Sequence, residues 1–308
     1  MKIGIVGTGG VGGYFGGKLA KAGNDVIFFA RGEHLNEINK NGLAIKSIQG
    51  DFRVDAIRAT DTLKDFGIVD IAIIAVKAWQ LKDISNDLIN ITGQNTIILP
   101  LQNGISAIDE LKKQVSPDRF IGGLCRIMSK IEAPAVINHF GVEPTITFGE
   151  LDKTVSRRCE EVLNVFTKAD IKATISSDII AELWKKFIVT CVGGLLAVTK
   201  TTYGELRKLN ETRQMMVDLL QEIVNLSKKL DIKIEPDFVN KSTNLIDSYP
   251  YDSTASLTRD VWNGKPSEIE YQNGTVVKLA KQQLINTPIN EFVYNCILPM
   301  EIKARSKA

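Results

Sequence analysis

A short apolar run, Lys2–Val6, leads straight into Gly7-Thr8-Gly9-Gly10-Val11-Gly12. A helical stretch follows as far as Gly23, and a second apolar run from Asp25 ends on Arg31. A Gly-x-Gly-x-x-Gly pattern alone is a weak signal. Between a strand and a helix, inside a βαβ unit, it marks a dinucleotide-binding turn. Gly7 permits the tight turn, Gly9 lets the backbone approach a pyrophosphate, and Gly12 lets the helix pack close on its strand. The helix start, with Thr8, Gly10 and Val11 in the loop, turns unbonded N–H groups and the positive end of the helix dipole toward phosphate. A glycine turn without a ligand is the competing reading, and the flanking strands stand against it.

The charge after the second strand bears on the cofactor. NAD-binding units place an acid there to accept from the ribose 2′-OH, whereas an arginine suits a 2′-phosphate. Arg31 holds the position, so the expected cofactor is NADP (NADPH) rather than NAD. Glu33, two residues on, is an acid of the NAD kind, and a solvated strand-end charge is the other account of Arg31.

At 308 residues and 44% hydrophobic content, the chain suits two domains of ordinary size, each with its own core. A net charge of +2, with no run of five like charges, gives no case for a nucleic acid or an anionic membrane. The longest uncharged apolar runs, such as 188–198, fall short of the roughly 18–20 residues that span a bilayer. A strand starting at residue 2 leaves no place for a signal peptide. Cys125, Cys159, Cys191 and Cys296 are scattered without C-x-x-C spacing, as in a reduced cytoplasm. His34 and His139 have no neighbouring ligand pattern, so no metal is expected.

Residues 32–41 read as a helix, and 43–58, around Gln49-Gly50-Asp51, as a hairpin-like excursion. Residues 70–76 are a continuous apolar run, the pattern of a parallel strand buried on both faces. A helix over 81–91, a strand over 96–101 and a helix over 106–115 capped by Ser106 follow. Three strand-like pieces, 120–130, 135–140 and 145–148, have short links that predict antiparallel pairing. A helix over 155–168 and a strand over 171–175 come next. Beyond Ser177 the reading is almost all helix: 178–192, 203–208, 211–230, 236–246, 253–262, 268–284 and 289–304. Leu219, Ile223, Leu226 and Leu230 have the spacing of a buried stripe. The fold class is α/β: a Rossmann-type doubly wound domain, residues 1–176, and an all-helical substrate and catalytic domain, residues 177–308. The cleft between two such domains is the expected place for a substrate.

Carbonyl reduction by a dinucleotide leaves negative charge on oxygen, so it needs a proton donor or cation there. Neither histidine is placed to serve. Lysine, protonated at neutral pH, is the alternative, and Lys186 lies among Leu183, Trp184, Phe187, Ile188 and Val189. Lys186, Thr190 and Gly194 recur at i, i+4 and i+8, one slowly drifting helix face, and Gly193-Gly194 is expected to end or kink that helix. Lys185 and Lys186 as solvated helix charges is the alternative. Lys77 follows a buried strand at its carboxyl end, where open α/β sheets bind ligands. Asn103 follows another such strand, in Asn-Gly, which is also a plain turn signal. Ser256 and Glu268 stand where helices begin; an acid there is favoured by the dipole in any case. Trp184 and Trp262 read as core.

Several pieces recur in an order and spacing that resemble one family from end to end. They are the N-terminal glycine loop; Ala75-Val-Lys77-Ala-Trp-Gln80; Leu101-Gln-Asn103-Gly104; Gly122-Gly123; Leu183-Trp184-Lys185-Lys186-Phe187; Tyr203-Gly-Glu-Leu-Arg207; Ser256-Leu-Thr-Arg-Asp260; and Glu268-Ile-Glu-Tyr-Gln-Asn-Gly274. The chain is similar to ketopantoate reductases (2-dehydropantoate 2-reductases). The resemblance implies NADPH-dependent reduction of the 2-oxo acid 2-dehydropantoate to (R)-pantoate, on the route to pantothenate. It implies a phosphate loop at Gly7–Gly12, a 2′-phosphate arginine at Arg31, a further cofactor lysine at Lys77, a nicotinamide-side asparagine at Asn103 and a backbone cofactor contact near Met128. It further implies a proton-donating Lys186, a substrate serine at Ser256 and an acid near the nicotinamide ribose at Glu268.

Three positions depart from the family pattern. Asparagines one and two turns beyond the lysine are replaced by Thr190 and Gly194, and a third, before Gly204-Glu-Leu-Arg207, by Tyr203. Those side chains normally hold the carboxylate and hydroxyls of the substrate. The expected substrate set is Lys186, Asn103, Thr190, Gly194 and Ser256. Its altered members leave room for a bulkier or more apolar 2-oxo acid, used with NADP or NAD. A non-catalytic NADPH-sensing regulator is the rival of another class, and the retained Lys186 and Glu268 argue against it. A homodimer through the helical domain is compatible with the sequence.

Overall fold

The computed structural model describes residues 1–307. They divide into two compact units, Met1–Gln102 with Ala107–Glu182, and Asn103–Ser106 with the residues from Leu183 onward. Where the sequence reading divides the chain at 176, the units part after Glu182, inside one continuous helix.

In chain order the first unit runs β1 (Lys2–Val6), α1 (Gly10–Lys21), β2 (Asp25–Phe29), α2 (Gly32–Asn41), β3 (Leu43–Ser47), β4 (Phe52–Val54), β5 (Arg58–Thr60), β6 (Val69–Ile74) and α3 (Leu81–Ser85). It continues with β7 (Thr92–Pro100), α4 (Ala107–Leu111), β8 (Gly122–Ala133), β9 (Val136–Gly149), α5 (Arg157–Lys168) and β10 (Lys172–Ile175). The shared helix is α6 (Ile179–Thr190).

The first sheet has the order β5-β2-β1-β6-β7, every pair parallel. Along β6, Ile71 and Ile73 enter one core while Ala72 and Ile74 enter another. The unbroken apolar run therefore exists because both faces are covered. Strand order reverses at β1, the switch point where doubly wound sheets bind ligands. The loops leaving β1 and β6 meet there: Gly7 has φ +108°, and a Cβ on it would lie 2.6 Å from the backbone N of Val76.

The hairpin excursion is real but shorter than expected. β3 and β4 pair antiparallel, and Arg58 returns to the first sheet in β5. The three pieces after Arg119 are two long strands, β8 and β9, antiparallel as expected, with β9 running through Gly141 at φ +80°. β3 and β10 flank β9 in parallel, completing a second sheet. Helix α1 lies between the sheets. Cβ atoms at Gly12 and Gly16 would meet Ile5 and Phe28 of the first, and at Gly13 and Gly17 would meet Ile137 and Ile45 of the second. Two glycine faces let both layers approach one backbone. The helix expected over 81–91 is α3 followed by a single turn at Leu88–Ile91, and that expected over 106–115 is only α4.

From Val192 the second unit contains α7 (Val192–Thr199), α8 (Tyr203–Lys208), α9 (Asn210–Lys229), α10 (Phe238–Asp247), α11 (Ser256–Trp262), α12 (Asn273–Gln283) and α13 (Pro288–Arg305). α7 is the centre, with Val192, Leu195 and Leu196 fully buried and α9, α11 and α13 packed on it. Each such side chain contributes about 1.5–3 kcal/mol on burial. α6 breaks at Cys191, not at the glycines. Gly193 and Gly194 lie inside the first turn of α7, where they allow close packing. The helix expected from 268 is a turn at Ile269–Tyr271 and then α12. No helix among the described residues is long and apolar enough to cross a membrane.

Candidate functional site

In the first unit the glycine loop is built as a cradle. A Cβ on Gly12 would lie 2.0 Å from the carbonyl oxygen of Gly7, so the turn itself demands glycine. Gly9 is different: beyond its own chain neighbours, nothing comes within 4 Å of where its Cβ would stand. That open space lies at the start of α1, whose first turn has no acidic side chain and whose last turn carries Lys18 and Lys21. With no acid in that turn, the free N–H groups and the positive end of the dipole are left for a phosphate, so these residues fit a dinucleotide. β8 closes one side, with Ser129 pressed against Gly10, while its neighbour Met128 packs beneath Gly141.

Arg31 is exposed at the end of β2, its guanidinium 5.0 Å from the centroid of the Phe29 ring. Glu33 stands in the first turn of α2, where the helix dipole favours an acid whatever the ligand. Lys77 is half-buried just beyond β6, its backbone N donating to Gln80 Oε1 at 3.1 Å. Gln102 Nε2 donates to the carbonyls of Ile74 and Val76 at 3.0 and 3.2 Å, fixing the strand end that delivers Lys77. The sequence reading missed Gln102, although it lies inside the Leu101–Gly104 motif.

The second unit collects Asn103, Lys186, Ser256 and Glu268. Asn103 comes with a segment of four residues drawn from the first half of the chain. Its Nδ2 donates to Glu268 Oε2 at 3.2 Å. Gly104, at φ +94°, lies against the carbonyl of Tyr271, where a Cβ would sit at 2.6 Å. Glu268 is 3% exposed. Just before it, Ser267 donates from its N–H and its hydroxyl to Glu301 Oε2 at 2.8 and 2.6 Å, and Arg305 Nη2 donates to its carbonyl at 3.3 Å. Neither Glu301 nor Arg305 carries any local signal of this role.

Lys186 is half-buried on α6, and Thr190 Oγ1 donates back to its carbonyl at 2.7 Å. α6 ends at Thr190 and α7 begins at Val192, so Lys186 and Thr190 share one helix while Gly194 belongs to the next. Gly194 is buried; a Cβ on it would lie 2.4 Å from Asn273 Oδ1 and 2.7 Å from Val293. The position expected on a substrate face is thus a buried one, where the absence of a side chain admits Asn273.

Ser256 opens α11, which is pinned to α7 by Thr258 Oγ1 donating to the Gly193 carbonyl at 2.8 Å and Trp262 Nε1 to that of Ala197 at 3.2 Å. Trp262 is 36% exposed rather than core. Tyr203 is buried edge-on against Tyr249, 5.0 Å between ring centroids, and burial pushes its phenol pKa up. Around it the Tyr203–Arg207 motif is a helix lock. Thr202 and Glu205 cap α8 reciprocally, and Arg207 donates to the carbonyls of Ile246 and Tyr249, both at 3.0 Å.

A parallel doubly wound sheet with a phosphate cradle at its switch point, joined to a helical unit carrying a lysine, defines a dinucleotide-dependent oxidoreductase. Residues 3–153 match the family model described as ketopantoate reductase PanE/ApbA, and residues 178–301 its C-terminal counterpart. The chain belongs to the ketopantoate reductase family. It is 30% identical over 297 residues to the uncharacterized oxidoreductase YkpB of Bacillus subtilis, covering 96% of this chain and 97% of that one. It is 28% identical over 302 residues to a 2-dehydropantoate 2-reductase of Pyrococcus abyssi, covering 96% and 97%. The structure of a D-mandelate dehydrogenase with NADH and anilino(oxo)acetate shares the fold, with a TM-score of 0.89 at 23% identity over 99% of each chain.

Proposed function

We propose that this protein is a cytoplasmic NADPH-dependent reductase of a 2-oxo acid, with 2-dehydropantoate, reduced to (R)-pantoate on the route to pantothenate, as its substrate. The observation that supports the reading is the Asn103–Glu268 hydrogen bond, made within the compact unit that also contains Lys186 and Ser256. Asn103 is drawn there from a strand end of the other half and bonded to Glu268.

The bound dinucleotide would supply a hydride to the carbonyl carbon. The chain supplies the rest. Lys186 donates a proton to the carbonyl oxygen as negative charge develops on it. Ser256 orients the oxo acid, Asn103 and Glu268 hold the nicotinamide ribose side, and Gly7–Gly12 with Arg31 and Lys77 hold the rest of the cofactor.

Thr190, Gly194 and Tyr203 favour a second reading. One hydroxyl is bonded to its own helix and the other two positions are packing, which favours a more apolar 2-oxo acid than 2-dehydropantoate. Comparing kcat/KM for 2-dehydropantoate with branched and aromatic 2-oxo acids, each with NADPH and NADH, separates the two. Binding of NADPH without turnover of any of them would instead support a sensor. A preference for NADH that survives Arg31→Ala would overturn the NADP assignment.

A further inference from the structure

The phosphate loop is held at its second residue by groups outside the glycine pattern. Thr8 is 4% exposed. Its N–H and its hydroxyl both donate to the Phe29 carbonyl, at 3.0 and 2.9 Å, and its own carbonyl lies 2.9 Å from His34 Nε2. On the other side of the ring, His34 Nδ1 lies 3.1 Å from the backbone N of Ala135. An amide N–H can only donate, so Nδ1 accepts and Nε2 carries the ring proton that it donates to Thr8. The imidazole is held neutral and in one tautomer. Burial, which pushes its pKa down, acts in the same direction.

One ring thus joins three parts of the first unit: the phosphate loop, the helix α2 that starts just after Arg31, and the turn between β8 and β9, where Ala135 has φ +59°. A trans peptide is planar, and its C=O and N–H point in opposite directions. Drawing the Thr8 carbonyl toward His34 therefore aims the Gly9 N–H the other way. Gly9 is the loop position with open space around it.

We propose that His34 is a positioning residue for the dinucleotide, orienting the Thr8–Gly9 peptide so that the Gly9 N–H donates to the pyrophosphate. This rests on the dinucleotide reading above. The test is equilibrium binding of NADPH and of adenosine 2′-monophosphate, which lacks the pyrophosphate, to the full chain and to His34→Ala, with Tm measured alongside. His34→Ala is expected to weaken NADPH about tenfold, the scale of one lost hydrogen bond, and adenosine 2′-monophosphate less than about twofold. His34→Gln, whose amide both donates and accepts, should recover most of the loss. His34→Phe, a ring with neither nitrogen, replaces the alanine variant if that fails to fold, and the same tenfold loss is expected. Unchanged NADPH affinity, or equal loss for both ligands, overturns the proposal. Wild-type protein that binds neither NADPH nor NADH overturns the dinucleotide reading itself, and this proposal with it.

Discussion

Asn103 Nδ2 donates to Glu268 Oε2 across 165 residues of chain. The contact joins a loop after the last strand of the parallel sheet to the turn that precedes α12. Glu268 is backed by Ser267, which Glu301 and Arg305 hold at its N–H, hydroxyl and carbonyl. The carboxylate is therefore set on a fixed peptide.

A double-mutant cycle on Asn103→Ala and Glu268→Ala should show coupling. Groups sharing one hydrogen bond typically interact by about 0.5–3 kcal/mol, and about 1 kcal/mol is expected in urea denaturation. Effects that simply add would mean that the bond contributes nothing to the second unit.

Lys186→Ala should lower kcat at least ~10²-fold, the low end for loss of a general acid. Its NADPH affinity should stay within about twofold of wild type. Turnover close to wild type in that variant would exclude Lys186 as the proton donor.

Restoring asparagine at the two altered helix positions should have opposite outcomes. Gly194→Asn drives a side chain into Asn273 and Val293, and such overpacking costs about 1–3 kcal/mol. Thr190→Asn, at the half-exposed end of α6, should stay within roughly 0.5 kcal/mol of wild type while raising kcat/KM for 2-dehydropantoate. No gain at position 190 would show that this residue does not limit the substrate. Chemical denaturation and steady-state kinetics report the two effects separately.

Acid should weaken the first unit through Glu150. Arg158 donates to it from Nε at 2.6 Å and from Nη2 at 2.5 Å, and these bonds hold the carboxyl below the usual carboxylate range. Its folded pKa lies below the unfolded value of 4.5, so the unfolded chain takes up the proton first. The contribution is complete above that value and is lost as pH falls through the lowered folded pKa. Tm measured from pH 7 down to 3 should fall more steeply for wild type than for Glu150→Gln. Parallel curves would assign acid sensitivity elsewhere.

The βαβ unit, the doubly buried run at β6 and the helical second half were legible because each is written in local spacing. The catalytic candidates were legible only as types. Asn103 read equally as a turn signal, and Glu268 as a helix-start acid, until the two proved to be bonded. The single strand β9 was read as two pieces because Gly141 and Pro144 are turn residues in isolation. Its pairing with β8 on one side and with β3 and β10 on the other supplies the hydrogen bonds that carry it through. Gly194 read only by its spacing from Lys186, because its contacts with Asn273 and Val293 come from segments 79 and 99 positions away.

By itself the sequence determined the cradle for a dinucleotide, the parallel sheet around it and the lysine-bearing helical half. Periodicity and glycine spacing record which faces are buried and where backbone must pass close to backbone. Tertiary structure alone decided that Asn103 joins the helical unit, that Gly194 and Tyr203 are packing, and that Glu301 and Arg305 support Glu268. Those relationships are contacts between residues tens to hundreds of positions apart. Their partners leave no trace in each other's local pattern.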